Sequence, residues 1–573
     1  MENSTLTPTP KRWLVSPLIP PSVSSALEEF PSLLRQLLYN RGITDYQAAR
    51  AFVDCAPAED TDPFLIKDMH TAVEILHQAL AENALIAIYG DYDVDGVTSS
   101  ALLYEFLSSL GSTPRVYIPS RFDEGYGLNL DAVEQLHREG ITLMITVDCG
   151  IRSIAEIALA KSLGMRVILS DHHQPGAQLP PADAVINTRQ AGDPYPYKQL
   201  AGVGLAYKLA DAYLRMYPQA GLDAQNWLDL VALGTVADIA PINGENRALV
   251  RAGLDQMRDT RRQGLYSLAQ VSGIKLESIN SGHIGFGLGP RLNAAGRLDS
   301  AMAAFELLTA TDIFTAGMLA QQLDAQNAQR KDMTSRMQEQ AIQLALQADP
   351  DSLVIFAASP DFNEGVVGLA AARVAEQLYR PAIIGARGED NIVASCRSIP
   401  EFNITSALDK CADLLVRYGG HSMAAGLTVS LENAPELLAR LNAIAREALQ
   451  GVEMVPVLGI DREIQLEHMR PEFVPQVFEA MEKLEPTGRE NPEALFCSRG
   501  VRVASSRVVG DGQHLKLTLQ AGKNSFDAIA FKQGYWLNQL PERIDIAYAF
   551  ELNSYMGRKT LQLNVKDIHP AQD

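Results

Sequence analysis

Three short segments of this chain each end an apolar run in carboxylates, alone or with imidazole. The first reads Ile88-Tyr-Gly-Asp91-Tyr-Asp93-Val-Asp95-Gly96, the second Ile145-Thr-Val-Asp148-Cys-Gly150, and the third Ile168-Leu-Ser-Asp171-His172-His173. Asp91, Asp93 and Asp95 crowd three carboxylates into five residues, and these repel one another unless a proton or a cation neutralises them. Asp238 follows the long apolar run Val231-Ala-Leu-Gly-Thr-Val-Ala, a position that buries an acid and therefore demands a partner. Carboxylates mixed with a single imidazole suit Mn2+, with Mg2+ as a substitute, whereas a zinc site would favour thiolates. Two such ions about 3.5–4 Å apart, sharing one carboxylate, can clamp both the attacking and the leaving oxygen of a phosphoryl displacement. An isolated Asp-x-Asp is ordinarily a turn or a helix N-cap, and an isolated His-His pair is ordinarily surface or core. Four acidic clusters at strand ends, in this order, point instead to one metal centre.

The elements that must hold these groups can be read from the pattern around them. Leu85–Tyr89, Leu143–Val147 and Met165–Leu169 read as strands, alternating with helical segments such as Val97–Leu110 and Ile154–Leu163. Strand and helix in alternation predict a parallel α/β sheet, whose ligands bind beyond the carboxyl ends of the strands. Adjacent strands lie about 4.8 Å apart, so side chains leaving three such ends can converge. This α/β domain is placed at residues 81–312, after an N-terminal adaptor, 1–80, rich in Pro and short helices. Leu319–Asp349 contains neither Gly nor Pro and carries apolar residues at helical spacing. It predicts a long helix within 313–349 that either joins two lobes or packs along one of them. A second, smaller α/β domain is placed at 350–452, with strands at Ser352–Ala357 and Pro381–Ile384 and a helix at Val366–Leu378. Over 453–573 the texture becomes period-two, as in His514–Leu519 and Thr560–Val565. Together with Val501–Val509, Phe526–Phe531 and Ile544–Leu552 this makes about five strands, and a small barrel of the OB type is expected.

Composition narrows the class. The length of 573 residues, 47% hydrophobic and 21% charged, is that of a globular chain of three or four domains. No apolar run approaches the roughly 18 residues of a membrane span, and Met1–Arg12 has no apolar core of a secretion signal. Cys55, Cys149, Cys396, Cys411 and Cys497 are odd in number and scattered, which argues against a disulfide framework and for a reducing cytoplasm. The net charge of −20 argues against a passive nucleic-acid coat, which gains affinity by displacing counterions. It leaves room for an enzyme whose carboxylates hold metal and whose cations are gathered in one place.

The motifs resemble those of the DHH phosphoesterase superfamily, named for the triplet seen here as Asp171-His172-His173, and within it the RecJ-type exonuclease family. The resemblance covers nearly the whole chain: DYDVDG (91–96), IPSRFDEGYGL (118–128), VDCG (147–150), LAGVGLAYKL (200–209), ALGTVADIAP (232–241), GPRLNAAGRLD (289–299), EGVVGLAAAR (364–373), SCRSI (395–399) and GGHSMAAG (419–426). It implies a DHH domain, a companion DHHA1 domain containing the last of these motifs, and 5′→3′ exonuclease activity on single-stranded DNA with release of 5′-mononucleotides, in repair and recombination. It implies that Asp93 and Asp148 hold one metal with Asp91 in support. Asp95, Asp148, His172 and Asp238 would hold the other, and His173 would sit beside the scissile phosphate. Arg121, Arg297, Ser395 and Arg397, with Arg291 near them, would receive the 5′-terminal phosphate, a role suited to forked guanidiniums. Gly419, Gly420 and His421 would line the DNA path. A single-strand binding protein and a helicase are the expected partners, and the chain is expected to act as a monomer. Two departures from the family pattern are Phe362-Asn363, where Trp-His is common, and Thr487 and Glu490 within Pro486–Pro492. The other readings are a phosphodiesterase for short oligonucleotides or cyclic dinucleotides, and a non-catalytic replication scaffold. The first is usually shorter and lacks a barrel; the second tends to lose ligand carboxylates that are all present here.

Overall fold

Ile86–Tyr89 (β1), Leu143–Val147 (β3) and Arg166–Ser170 (β4) are buried almost throughout, which is why they read as continuous apolar runs rather than alternating ones. Ile86, Ile88, Leu143 and Ile145 feed the core on one face of the sheet, while Ala87, Tyr89 and Met144 feed that on the other. The computed structural model describes residues 9–57, 60–121, 124–125, 127–470, 474–555 and 558–571. Met1–Pro8, and Phe122, Asp123 and Tyr126 of the 118–128 motif, lie outside them. Arg115–Tyr117 (β2) and Ala184–Ile186 (β5), strands of three residues each, complete the all-parallel sheet in the order β2-β1-β3-β4-β5. The order reverses between β1 and β3, so the crevice for a ligand opens at their carboxyl ends, where Asp91 and Asp148 lie. Helix α1, Val94–Ser109, starts where it does because the Asp93 side chain accepts the amides of Asp95 and Gly96 at 2.9 and 3.1 Å.

The sheet belongs to a unit made of Arg50–Asp332 together with Glu485–Pro492. That short return segment is held by Arg247, only 2% exposed, whose guanidinium donates to the carbonyls of Pro486 (2.8 Å) and Glu485 (3.0 Å). Ile242 N–H donates to the Arg489 carbonyl at 2.8 Å. Glu490 adopts φ +62, the left-handed backbone for which glycine is ordinarily used, and its carboxylate accepts from Asn243 Nδ2 at 2.6 Å. The long helix spans Ile313–Ala348, 36 residues, six of them before the first apolar repeat at Leu319.

The second unit comprises the residues up to Ala49, Met333–Leu484 and Glu493 onward. Its N-terminal part contributes a parallel strand, Arg12–Val15, to Val457–Ile460. Ile355–Ser359 (β6) and Ala382–Arg387 (β7) are parallel and joined through helix Glu364–Leu378. Three strands without a counterpart in the sequence reading follow: Asn391–Arg397 (β8), Leu415–His421 (β9) and Ala424–Ser430 (β10). They make the sheet mixed, in the order β9-β10-β8-β7-β6. The Phe362-Asn363 departure has a local structural role: Phe362 is buried and the Asn363 side chain caps the helix by accepting from Gly365 N–H at 2.9 Å. Phe496–Val509 pairs with both His514–Ala521 and Arg543–Tyr555, and Asn524–Ala530 runs parallel to Arg558–Pro570. These five strands close into the expected barrel.

Candidate metal centre

Four segments bring their donors together at the crevice of the parallel sheet. Asp91, Asp93 and Asp148 offer atoms within 4.8 Å of one another, as do Asp95, His172 and Asp238, and as do Asp148, His172 and His173. His172 Nε2 lies 3.1 Å from Asp148 Oδ1, and 3.9 Å from both Asp95 Oδ2 and Asp238 Oδ2. Asp148 and His172 therefore join the two acidic groups.

Backbone geometry positions the donors. Asp95 accepts the amides of Gly202 (2.6 Å) and Val203 (2.8 Å) at the start of helix Gly202–Met216. Gly202 is required there, because a Cβ would stand 2.7 Å from Asp148 Cβ. Asp148 itself sits at φ +61, turning sharply off β3. Asp238 caps the end of helix Leu228–Ala237. Asp171 is buried and does not join the donor groups. It accepts from His173 Nδ1 (2.7 Å), His173 N–H (3.0 Å) and Ile151 N–H (2.9 Å), so it aims the second imidazole. This positioning role is one the motif name conceals.

The electrostatics are those of a cation-binding site. Burial, and then the charge of Asp93, pushes the Asp91 and Asp95 carboxyls upward; burial and then Asp95 does the same to Asp148 and Asp238. Burial holds His172 down at about 3, a neutral ligand-ready imidazole. Burial works against charge on His173 too, but its hydrogen bond to Asp171 prevails and raises it to about 9. Asp91 Oδ1, Asp148 Oδ1 and His172 Nε2 are buried and, among the described residues, have no hydrogen-bond partner, even though the last two are 3.1 Å apart. Two ligands at right angles, each roughly 2.1–2.2 Å from one ion, are separated by about that distance. The residues present fit divalent metal.

Beside the carboxylates, Tyr92, Asp93, Arg121, Ala237, Asp238, Asn293, Gly296 and Arg297 line a cavity of about 200 Å3. The Arg121 guanidinium lies 4.3 Å over the Tyr92 ring. Burial first, and then the like charges of Arg121 and Arg330, lowers Arg297 to about 10. Such crowded cations suit an anion, and Arg330 is a contributor that the motifs did not single out. Arg291 is placed differently: it donates to Asp324 Oδ1 at 2.8 Å and to the Gly287 carbonyl at 2.9 Å, and does not line this cavity. In the second unit, Ser395 and Arg397 lie on β8. A Cβ at Gly368, on helix Glu364–Leu378, would stand 3.3 Å from Ser395 Oγ and from Arg397 Nη2. Gly419, Gly420 and His421 end the exposed edge strand β9, with Gly420 at φ +150.

A doubly wound parallel sheet with two acidic groups joined at its switch point, followed by a mixed sheet and an OB barrel, is the architecture of a DHH phosphoesterase. Three family models match: the DHH family N-terminal domain over residues 85–235, the DHHA1 domain over 351–447, and the RecJ OB domain over 460–567. The single-stranded-DNA-specific exonuclease RecJ of Bacillus subtilis is 37% identical over 563 residues, 97% of this chain and 70% of that protein. The Escherichia coli protein of the same name is 34% identical over 574 residues, 95% of this chain and 96% of its own length. Among solved structures, RecJ of Thermus thermophilus in complex with Mn2+ is similar at a TM-score of 0.83 and 31% identity, covering 98% of this chain and 80% of that one. The same protein in complex with Mg2+ is similar at a TM-score of 0.77 and 29% identity. The chain belongs to the RecJ exonuclease family.

Proposed function

We propose that the protein is a metal-dependent exodeoxyribonuclease specific for single-stranded DNA, degrading it from the 5′ end to 5′-mononucleotides in DNA repair and recombination. The observation that carries this reading is the pair of acidic groups joined through Asp148 and His172. It is supported by relatives named single-stranded-DNA-specific exonucleases that match along most of the chain. Two divalent ions, Mn2+ best matched to these donors and Mg2+ able to replace it, supply Lewis-acid stabilisation and a nucleophile active at neutral pH when bound. Asp93 and Asp148, supported by Asp91, would hold one; Asp95, Asp148, His172 and Asp238 would hold the other.

The remaining residues bind and orient. His173, fixed through Nδ1 by Asp171, offers Nε2 as a hydrogen-bond donor to the scissile phosphate. Arg121 and Arg297, which line the cavity beside the carboxylates, bind the 5′-terminal phosphate and so set polarity and product size, a role we also assign to Ser395 and Arg397 of the second sheet. Gly419, Gly420 and His421 line the strand's path, and the barrel of 453–573 grips it further on. All metal donors come from one chain, which supports a monomer. All five cysteines are free thiols and, among the described residues, no helix is long and apolar enough to cross a membrane; both fit a cytoplasmic enzyme supplied with strands by a helicase and a single-strand binding protein. A time course on 5′- and 3′-labelled single strands with Mn2+, Mg2+ or EDTA tests polarity, product size and metal need at once. Release of labelled mononucleotide from the 3′ end first, or turnover in EDTA, overturns the reading.

A further inference from the structure

Helix Leu228–Ala237, which delivers Asp238 to the metal centre, ends in a double closure. Ala240 N–H donates to the Thr235 carbonyl at 3.2 Å and Ile239 N–H to the Val236 carbonyl at 3.2 Å. This closure needs a left-handed backbone one residue beyond the cap, a position usually taken by glycine, and sometimes asparagine, in helices that end this way. Here it is Ile239, at φ +59. A left-handed conformation disfavours an ordinary L-residue by roughly five- to thirtyfold, and a β-branched one is a genuine outlier. Burial does not compensate, since Ile239 is 65% exposed. The fold thus holds a branched apolar side chain out into solvent, against its backbone preference, one residue from a metal donor.

A second exposed apolar group belongs to an element packed against this helix end. Phe286, 88% exposed, lies on the π-helical turn Ile284–Leu288. That turn packs on the same helix end: a Cβ at Gly285 would lie 3.8 Å from Val236 Cγ1, and one at Gly289 would lie 3.4 Å from Ala237 Cβ. Strained residues and π-turns both gather at functional sites.

We infer that Ile239 and Phe286 form an apolar platform that covers nucleobases of the single strand at the rim of the metal centre. The inference rests on the exonuclease reading above. A phosphate held at the Asp238 group has its neighbouring bases stripped of stacking partners, and an apolar surface beside it replaces that stacking whatever the base, because every base presents a flat face. Substrate grip without sequence preference follows.

The test exploits the conflict between backbone and side chain. Ile239→Gly and Ile239→Asn suit the left-handed position, so thermal stability should hold or rise, while KM for single-stranded DNA should rise about five- to tenfold. Ile239→Leu, which stays apolar, should keep KM within about twofold, and Phe286→Ala should raise it about tenfold. The half-saturating Mn2+ concentration should not move in any of them. On strands lacking their 5′-terminal bases, wild type and variants should converge, because there is no base left to cover. Unchanged KM on intact strands for Ile239→Gly, an equal loss on baseless strands, or a parallel shift in the Mn2+ requirement overturns the platform. A wild-type protein that releases nothing from any single strand overturns the exonuclease reading itself, which separates the two failures.

Discussion

The parallel sheet of the first unit and the mixed sheet of the second deploy their polar residues in opposite ways. In the first, the carboxylates and His172 leave buried strand and helix ends, and the oxygens of Asp93 and Asp95 are fixed by main-chain amides. In the second, Ser395 and Arg397 sit within a strand, and Gly419 to His421 form part of an exposed edge. A reaction centre needs desolvated donors converging on one point. A surface that follows a sugar–phosphate chain needs forked cations and bare backbone. Under the proposed function, reactivity and grip fall to differently built sheets, and that division can be broken experimentally.

The sharpest test is Asp148→Ala. Its loss strips both acidic groups, so kcat should fall by at least roughly 10^2–10^3-fold while circular dichroism stays native; near-normal turnover would dissolve the contrast. Metal should also stabilise the wild type, because it relieves the buried carboxylate repulsion. Mn2+ at a hundred times its Kd should add about 2.7 kcal/mol, read as a rise in Tm that EDTA reverses and that Asp148→Ala lacks. Arg397→Ala removes a charge-assisted contact worth about 1.5–3 kcal/mol. It should raise KM for 5′-phosphorylated strands by roughly ten- to a hundredfold, leaving kcat and 5′-hydroxyl strands little changed. The two edge glycines then divide. A Cβ at Gly420 would meet the Ala424 carbonyl at 2.4 Å, so Gly420→Ala should cost about 1–3 kcal/mol of stability in denaturant titration. Gly419 has nothing within 4 Å, and Gly419→Ala should cost less than about 0.5 kcal/mol, with any effect confined to KM for DNA.

The same contrast explains what could be read from the residues alone. Strands β1, β3 and β4 were legible within a residue at either end because burial on both faces leaves an uninterrupted apolar signature. β2 and β5, three residues each, are too short to carry a period. β8 and β9 escaped because Asn391–Arg397 carries a Ser and an Arg on its half-buried face, and Leu415–His421 is largely exposed, so neither stands out from loop. The candidate metal donors were legible as residue types after apolar runs, although Asp238 follows a helix, Leu228–Ala237, and not a strand. The role of Asp171 was not, since only the fold reveals that its oxygens are spent on His173 and Ile151. Arg291 and Arg297 share one motif, but six helical positions turn them to different faces, and Arg291 is taken by Asp324. Alternation predicted the barrel's strands; its closure through Phe496–Val509 depends on pairing that no local pattern encodes.

The return of Glu485–Pro492 to the first unit means that the catalytic half of the molecule is not one continuous stretch of polypeptide. A fragment ending after the mixed sheet would keep every metal donor yet strand the Arg247 guanidinium in the interior without two of its carbonyl acceptors, leaving the fragment less robust than the intact protein. Modularity in the order of residues thus overstates modularity in the fold: the barrel cannot be excised, exchanged or grafted at the obvious seam without also transplanting eight residues that serve its neighbour.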